Sequence, residues 1–110
     1  MKLQIQNTNL RLRIDERELA DLLAGGTLAL ALHAQRKPLL DVQVQLAPSL
    51  GLASESSHWR LQLPDAELRA YAQTLPRRDA LSLALADDLR LDFEVDVRDS
   101  IRERGAKRRS

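Results

Sequence analysis

Leu10, Leu12 and Ile14 alternate with Arg11 and Arg13, and that period of two most constrains what the chain can fold into. Side chains at i, i+2 and i+4 of a strand share one face, so the segment predicts a strand with one buried and one wet side. Leucine favours helices in isolation, so periodicity rather than propensity decides here. The same beat returns at Leu28, Leu30 and Leu32, at Leu40, Val42, Val44 and Leu46, at Trp59, Leu61 and Leu63, at Leu81, Leu83 and Leu85, and from Leu89 to Val97.

Between strands the signals switch to those of helices. Asp15 followed by Glu18 forms a capping-box pattern, Leu19, Leu22 and Leu23 fall on one helical face, and Gly25 and Gly26 supply a left-handed stop. Pro64 and Asp65 open a second helix whose inner face is Leu68, Tyr71, Ala72 and Leu75, with Pro76 ending it. The order strand, helix, strand, strand therefore occurs twice. Arg11, Leu12, Glu18 and Leu19 match Arg60, Leu61, Glu67 and Leu68 at an offset of 49. Leu28, Leu30 and Leu32 match Leu81, Leu83 and Leu85 at 53, and Leu40, Asp41 and Val44 match Leu91, Asp92 and Val95 at 51. The expected fold is α+β, two βαββ repeats plus an N-terminal strand at residues 2–6. Its sheet is mainly antiparallel, and curling it into a barrel would turn the polar strand faces inward.

The expected domain spans residues 1–97, with repeats at about 10–46 and 58–97, a Ser- and Gly-containing linker at 47–57, and a basic tail at 98–110. At 110 residues, one core that buries roughly 65% of the unfolded chain's surface suffices. That core must be aliphatic, because Leu supplies 23 residues and only Trp59, Tyr71 and Phe93 are aromatic. So few aromatics also argue against a stacking platform for single-stranded nucleic acid. With no cysteine, disulfides, thiolate metal sites and cysteine nucleophiles are excluded. The chain opens on an alternating segment without a basic-then-apolar leader, and no apolar run approaches the roughly 20 residues that span a bilayer. A cytoplasmic location without membrane contact is expected.

The opening stretch has Lys2, Leu3 and Ile5, an asparagine turn at Asn7 to Asn9, and the Leu10, Arg11, Leu12, Arg13 strand. It resembles the start of a family of small uncharacterised bacterial proteins. Glu18 stands where that family places a glutamate in its first helix, and the likeness continues from Leu61 to Ala72, with Tyr71 at an aromatic position, and at Asp92 and Phe93. The resemblance implies a compact bacterial fold and supplies no activity, the family being a domain of unknown function. Some members carry a cysteine after the Asp-Phe pair, so a thiol role would not transfer to this chain.

Three residue groups bear on chemistry. Asp92, Glu94 and Asp96 share one face of the last strand, and aligned carboxylates can hold Mg²⁺ or Mn²⁺. Arg11, Arg13 and Arg60 lie on the polar faces of the equivalent first strands, where guanidinium groups can bind phosphate oxygens. Together, inside a barrel, they would suit a metal-dependent enzyme or sensor for a phosphorylated small molecule. On an open sheet they are a water-facing surface of cross-strand ion pairs. The net charge of +1 hides the third group. Residues 98–110 carry +4 and the first 97 carry −3, so nucleic-acid contact would rest on Arg104, Lys107, Arg108 and Arg109. His33 and His58 have no metal-binding spacing, although Asp41 could join them, and Ser54, Ser56 and Ser57 lack a nucleophile elbow. The expectation is a binding or interaction domain with no catalytic residues and no cofactor, able to pair with itself through an edge strand or a leucine-rich helix face.

Overall fold

The computed structural model describes residues 1–76 and 79–97. Eight strands and two helices follow in the order β1 (Lys2–Gln6), β2 (Asn9–Asp15), α1 (Glu16–Leu23), β3 (Leu28–Ala34), β4 (Lys37–Ala47), β5 (Gly51–Glu55), β6 (His58–Pro64), α2 (Asp65–Ala72), β7 (Leu81–Ala86) and β8 (Leu89–Asp96). They form two open four-stranded sheets, ordered β1-β2-β8-β7 and β3-β4-β6-β5, rather than one barrel-like sheet. Neighbours are antiparallel except at the two centres, where β2 runs parallel to β8 and β4 runs parallel to β6.

This arrangement follows from connection length. A tight turn joins antiparallel strands, so each strand pair closes as a hairpin, whereas parallel strands require a longer crossover. Each short helix leads from a hairpin in one sheet to a hairpin in the other. The α+β class with two helices is thus realised, and the α1 cap takes its expected form. The Asp15 carboxylate accepts from the Glu18 N–H at 2.7 Å, and the Glu18 carboxylate accepts from the Asp15 N–H at 3.0 Å. At the other end Gly25, at φ +93°, donates to Leu22 O, and Gly26 donates to Asp21 O, the paired bonds of a Schellman stop.

The structure holds one strand more than the periodicity suggests. The expected linker contains β5, which pairs with β6 as β1 pairs with β2. Leu3 faces Leu12 and Leu52 faces Leu61, again at an offset of 49. Both turns carry a positive-φ residue at the matching position, Asn7 and Ser56. Each half of the chain therefore reads ββαββ, with β1 in the first half standing where β5 stands in the second. The segment Gly51–Glu55 escaped the pattern because Leu52 is its one large apolar residue.

Registers also correct the pairing of the last strands. Arg11 lies opposite Asp92 in the first sheet and Arg60 opposite Gln43 in the second, while Leu12 opposes Phe93 and Leu61 opposes Val44. Structurally, Asp92 therefore corresponds to Gln43 and Glu94 to Gln45, an offset of 49 rather than 51. The leucine alternation tolerates a two-residue slip because every second residue still faces inward. Once β3 and β7 are aligned at 53, the β3–β4 hairpin is four residues longer than the β7–β8 hairpin.

One core receives the inward faces of both sheets and both helices. It includes Leu10, Leu12 and Ile14 of β2, Leu19 and Leu22 of α1, Val42 and Val44 of β4, Leu61 and Leu63 of β6, Leu68 and Tyr71 of α2, and Leu91, Phe93 and Val95 of β8. Tyr71 meets Phe93 edge to face with ring centroids 5.9 Å apart, and its hydroxyl donates to Asp79 O at 2.7 Å. The phenol is thereby satisfied at the core edge.

Candidate anion-binding site

The outer face of the first sheet concentrates charge because each strand contributes alternate residues to it. Across the β1–β2 hairpin Lys2 opposes Arg13 and Gln4 opposes Arg11. Across the parallel centre Arg11 opposes Asp92, Arg13 opposes Glu94 and Asp15 opposes Asp96. Paired residues share a face, so strand pairing alone brings these side chains together.

Glu94 organises the group. It is the one buried charged residue among those described, 9% exposed. Its carboxylate accepts from Arg13 Nε at 2.6 Å through Oε1 and from Arg11 Nη2 at 3.2 Å through Oε2. Two half-exposed guanidinium groups are thus tied to one carboxylate, and with Lys2 and Gln4 they line a cleft of about 80 Å³. Lys2, Arg11 and Arg13 against Glu94 leave the cleft a formal charge of +2. Its volume is well above the roughly 10–15 Å³ that holds one water, so a single tetrahedral oxyanion fits.

The other carboxylates are engaged elsewhere. Asp92 accepts from Ser82 Oγ at 2.7 Å and from Asn9 Nδ2 at 3.5 Å, which is why Arg11 turns to Glu94 instead of to the residue directly opposite. Asp96 lies at the strand end beside a second cleft lined by Met1, Lys2, Arg13, Asp15 and Glu18. Here the Met1 ammonium donates to both Glu18 oxygens at 2.9 Å. Asp92, Glu94 and Asp96 do share a face, as their spacing predicts, yet they do not converge. Among the described residues, no three His, Cys, Asp or Glu side chains gather as a metal-binding group. A cation approaching Glu94 would also meet two guanidinium groups.

Arg60 belongs to the second sheet, so the structure separates it from Arg11 and Arg13. Its register neighbours are Gln43 and Ala53, neither of them acidic. His58 Nδ1 lies 3.3 Å from Asp41 Oδ2, while His33 sits opposite Pro38 near the end of the β3–β4 hairpin. Arg104, Lys107, Arg108 and Arg109 lie outside the described residues. Among the described residues, no helix is long and apolar enough to cross a membrane.

No protein-family model matches the chain, and no curated protein matches it. The site must therefore be read from its own geometry. Lys2 and Gln4 are the members that strand periodicity did not single out. Their signal was nevertheless present: a two-residue turn at Asn7 and Thr8 sets the hairpin register that places them beside Arg13 and Arg11.

Proposed function

We propose that this chain is a small binding domain without bond-making chemistry, and that the cleft formed by Lys2, Gln4, Arg11 and Arg13 takes a phosphate-type oxyanion. The observation carrying this reading is the grip of buried Glu94 on both guanidinium groups at 2.6 and 3.2 Å. Holding two long side chains in place reduces the conformational freedom they would otherwise lose on binding, and the planar guanidinium groups keep further N–H donors for oxyanion oxygens. A carboxylate already engaged by two cations is also a poor metal ligand. The cytoplasmic setting and the kinship with the bacterial family that the opening strand resembles belong to the same proposal.

Titration with inorganic phosphate and pyrophosphate, followed by calorimetry and thermal unfolding, tests it. Phosphate is expected to raise the unfolding temperature of the intact chain, because a ligand selective for the folded state must do so. The effect should fade as NaCl approaches about 0.2 M, where exposed charges are screened. Arg11→Ala and Arg13→Ala should each abolish binding, and Arg60→Ala should leave it intact. A wild-type chain unmoved by either anion would overturn the proposal, as would an equal loss in Arg60→Ala.

A further inference from the structure

The helices α1 and α2 begin and end 49 residues apart, the same offset that relates the central strand registers of the two sheets. Each helix borders a cleft at the end of a central strand: α2 beside Pro48, which follows β4, and α1 beside Val97, which follows β8. The two clefts differ in their lining. In the α2 cleft Arg69 Nε donates to Asp65 Oδ1 at 2.8 Å and Arg69 Nη2 donates to Leu23 O at 2.9 Å. One guanidinium thus pairs an acidic residue of its own helix and satisfies a terminal carbonyl of the other. At the matching places the α1 cleft holds Glu16 and Ala20. Alanine can do neither, and Glu16 Oε1 is buried without a hydrogen-bond partner among the described residues. A buried acceptor of this kind normally has a donor. Apart from Glu16 the cleft wall is uncharged and largely apolar, with Leu19, Leu23, Leu75 and Val97 around about 250 Å³. That exceeds the roughly 150 Å³ that accommodates a benzene-sized group.

We propose that residues 98–102 of the same chain occupy this cleft, with Ile101 against Leu23 and Leu75 and the Arg102 guanidinium donating to Glu16 Oε1. Residues 98–110 lie outside the described residues, and Val97, from which they continue, is itself part of the cleft wall. Five residues reach at most about 17 Å, so Ile101 and Arg102 arrive at the cleft without a long loop to close. The sequence selects these two residues. Ile101 is the one large apolar residue in 98–110, and Arg102 is its immediate neighbour. Charge selects the same segment, because residues 98–110 carry +4 and Glu16 is the one charged residue lining the cleft. The first half of the chain sets a precedent at the equivalent place, where the segment after Pro48 lays Leu50 against the core. Arg102 then supplies to Glu16 what Arg69 supplies to Asp65.

A double-mutant cycle on the full chain, read by urea denaturation with circular dichroism confirming that each variant is folded, tests this. Glu16→Gln and Arg102→Gln should each lower the folding equilibrium constant about threefold, and the double variant should lose no more than either single one. Ile101→Ala should lower it about tenfold, as loss of a partly buried aliphatic side chain does, and Ile101→Leu should recover most of that loss. Arg77→Gln and Arg78→Gln, near Pro76 in sequence, and Arg108→Gln, beyond the proposed contact, should each combine additively with Glu16→Gln. None of these effects should vary with protein concentration, because the contact lies within one chain. Additive losses at Glu16 and Arg102, a neutral Ile101→Ala, coupling of Glu16 to Arg77 or Arg78 instead, or a coupling that grows with protein concentration, the sign of a second copy, would each overturn the proposal.

Discussion

The two sheets share the register of their central strands and differ in what that register carries outward. In the first sheet the central strands set Arg11 against Asp92 and Arg13 against Glu94; in the second the same places hold Arg60 against Gln43 and Gln62 against Gln45. Inside, Phe93 of the first sheet stands where the second has Val44, and both are fully buried. Backbone pairing and aliphatic filling satisfy the fold equally well in both. The outer faces are free to diverge because a solvated polar position contributes little to stability, so the charged cleft is a property of one sheet rather than of the architecture.

That comparison can be broken by substituting equivalent positions. Phe93→Ala removes a fully buried ring and its contact with Tyr71, and should cost about 3–5 kcal/mol in chemical denaturation. Val44→Ala, at the matching place, should cost about 2 kcal/mol, since only two methyl groups leave. Equal losses would show that the two sheets do not pack alike. On the outer faces, Glu94→Ala should cost about 1–2 kcal/mol, less than a fully buried pair because both guanidinium groups are half exposed. Gln45→Ala should fall within about 0.5 kcal/mol of wild type. A comparable loss at both positions would remove the distinction between a built cluster and a solvated surface. The smallest contrast concerns the helices: α1 has a side-chain cap, whereas α2 begins at Pro64 with none. Asp15→Ala should lower stability by about 1 kcal/mol, and an unchanged denaturation midpoint would show that packing alone holds the helix start.

Among the described residues alternation makes seven of the eight strands legible, the capping box does so for α1, and the apolar face between Pro64 and Pro76 does so for α2. The eighth, Gly51–Glu55, is held by pairing with β6 rather than by its own pattern, and a strand with a single large apolar residue leaves no periodicity to read. The division into two sheets was illegible for a different reason. Alternation says which residues point inward but not which strand lies alongside, so it cannot separate Arg60 from Arg11 and Arg13 although Arg60 occupies the other sheet. Within the site, the shared face of Asp92, Glu94 and Asp96 was readable from spacing. That Glu94 alone would hold both arginines depended on the parallel register between β2 and β8, which joins residues more than 80 positions apart.

That parallel register also has a consequence for how the chain is made. Each sheet takes one hairpin from the first half and one from the second, so neither half closes a sheet by itself. During synthesis β2 emerges early and must wait for β8, the last described strand, before its inner edge is covered. Contacts so distant in sequence slow folding, and until they form the unpaired leucine strands are exposed to misassociation. Cutting the chain in the loop between β4 and β5 would yield two fragments, each carrying half of each sheet, that regain the native arrangement only by finding one another.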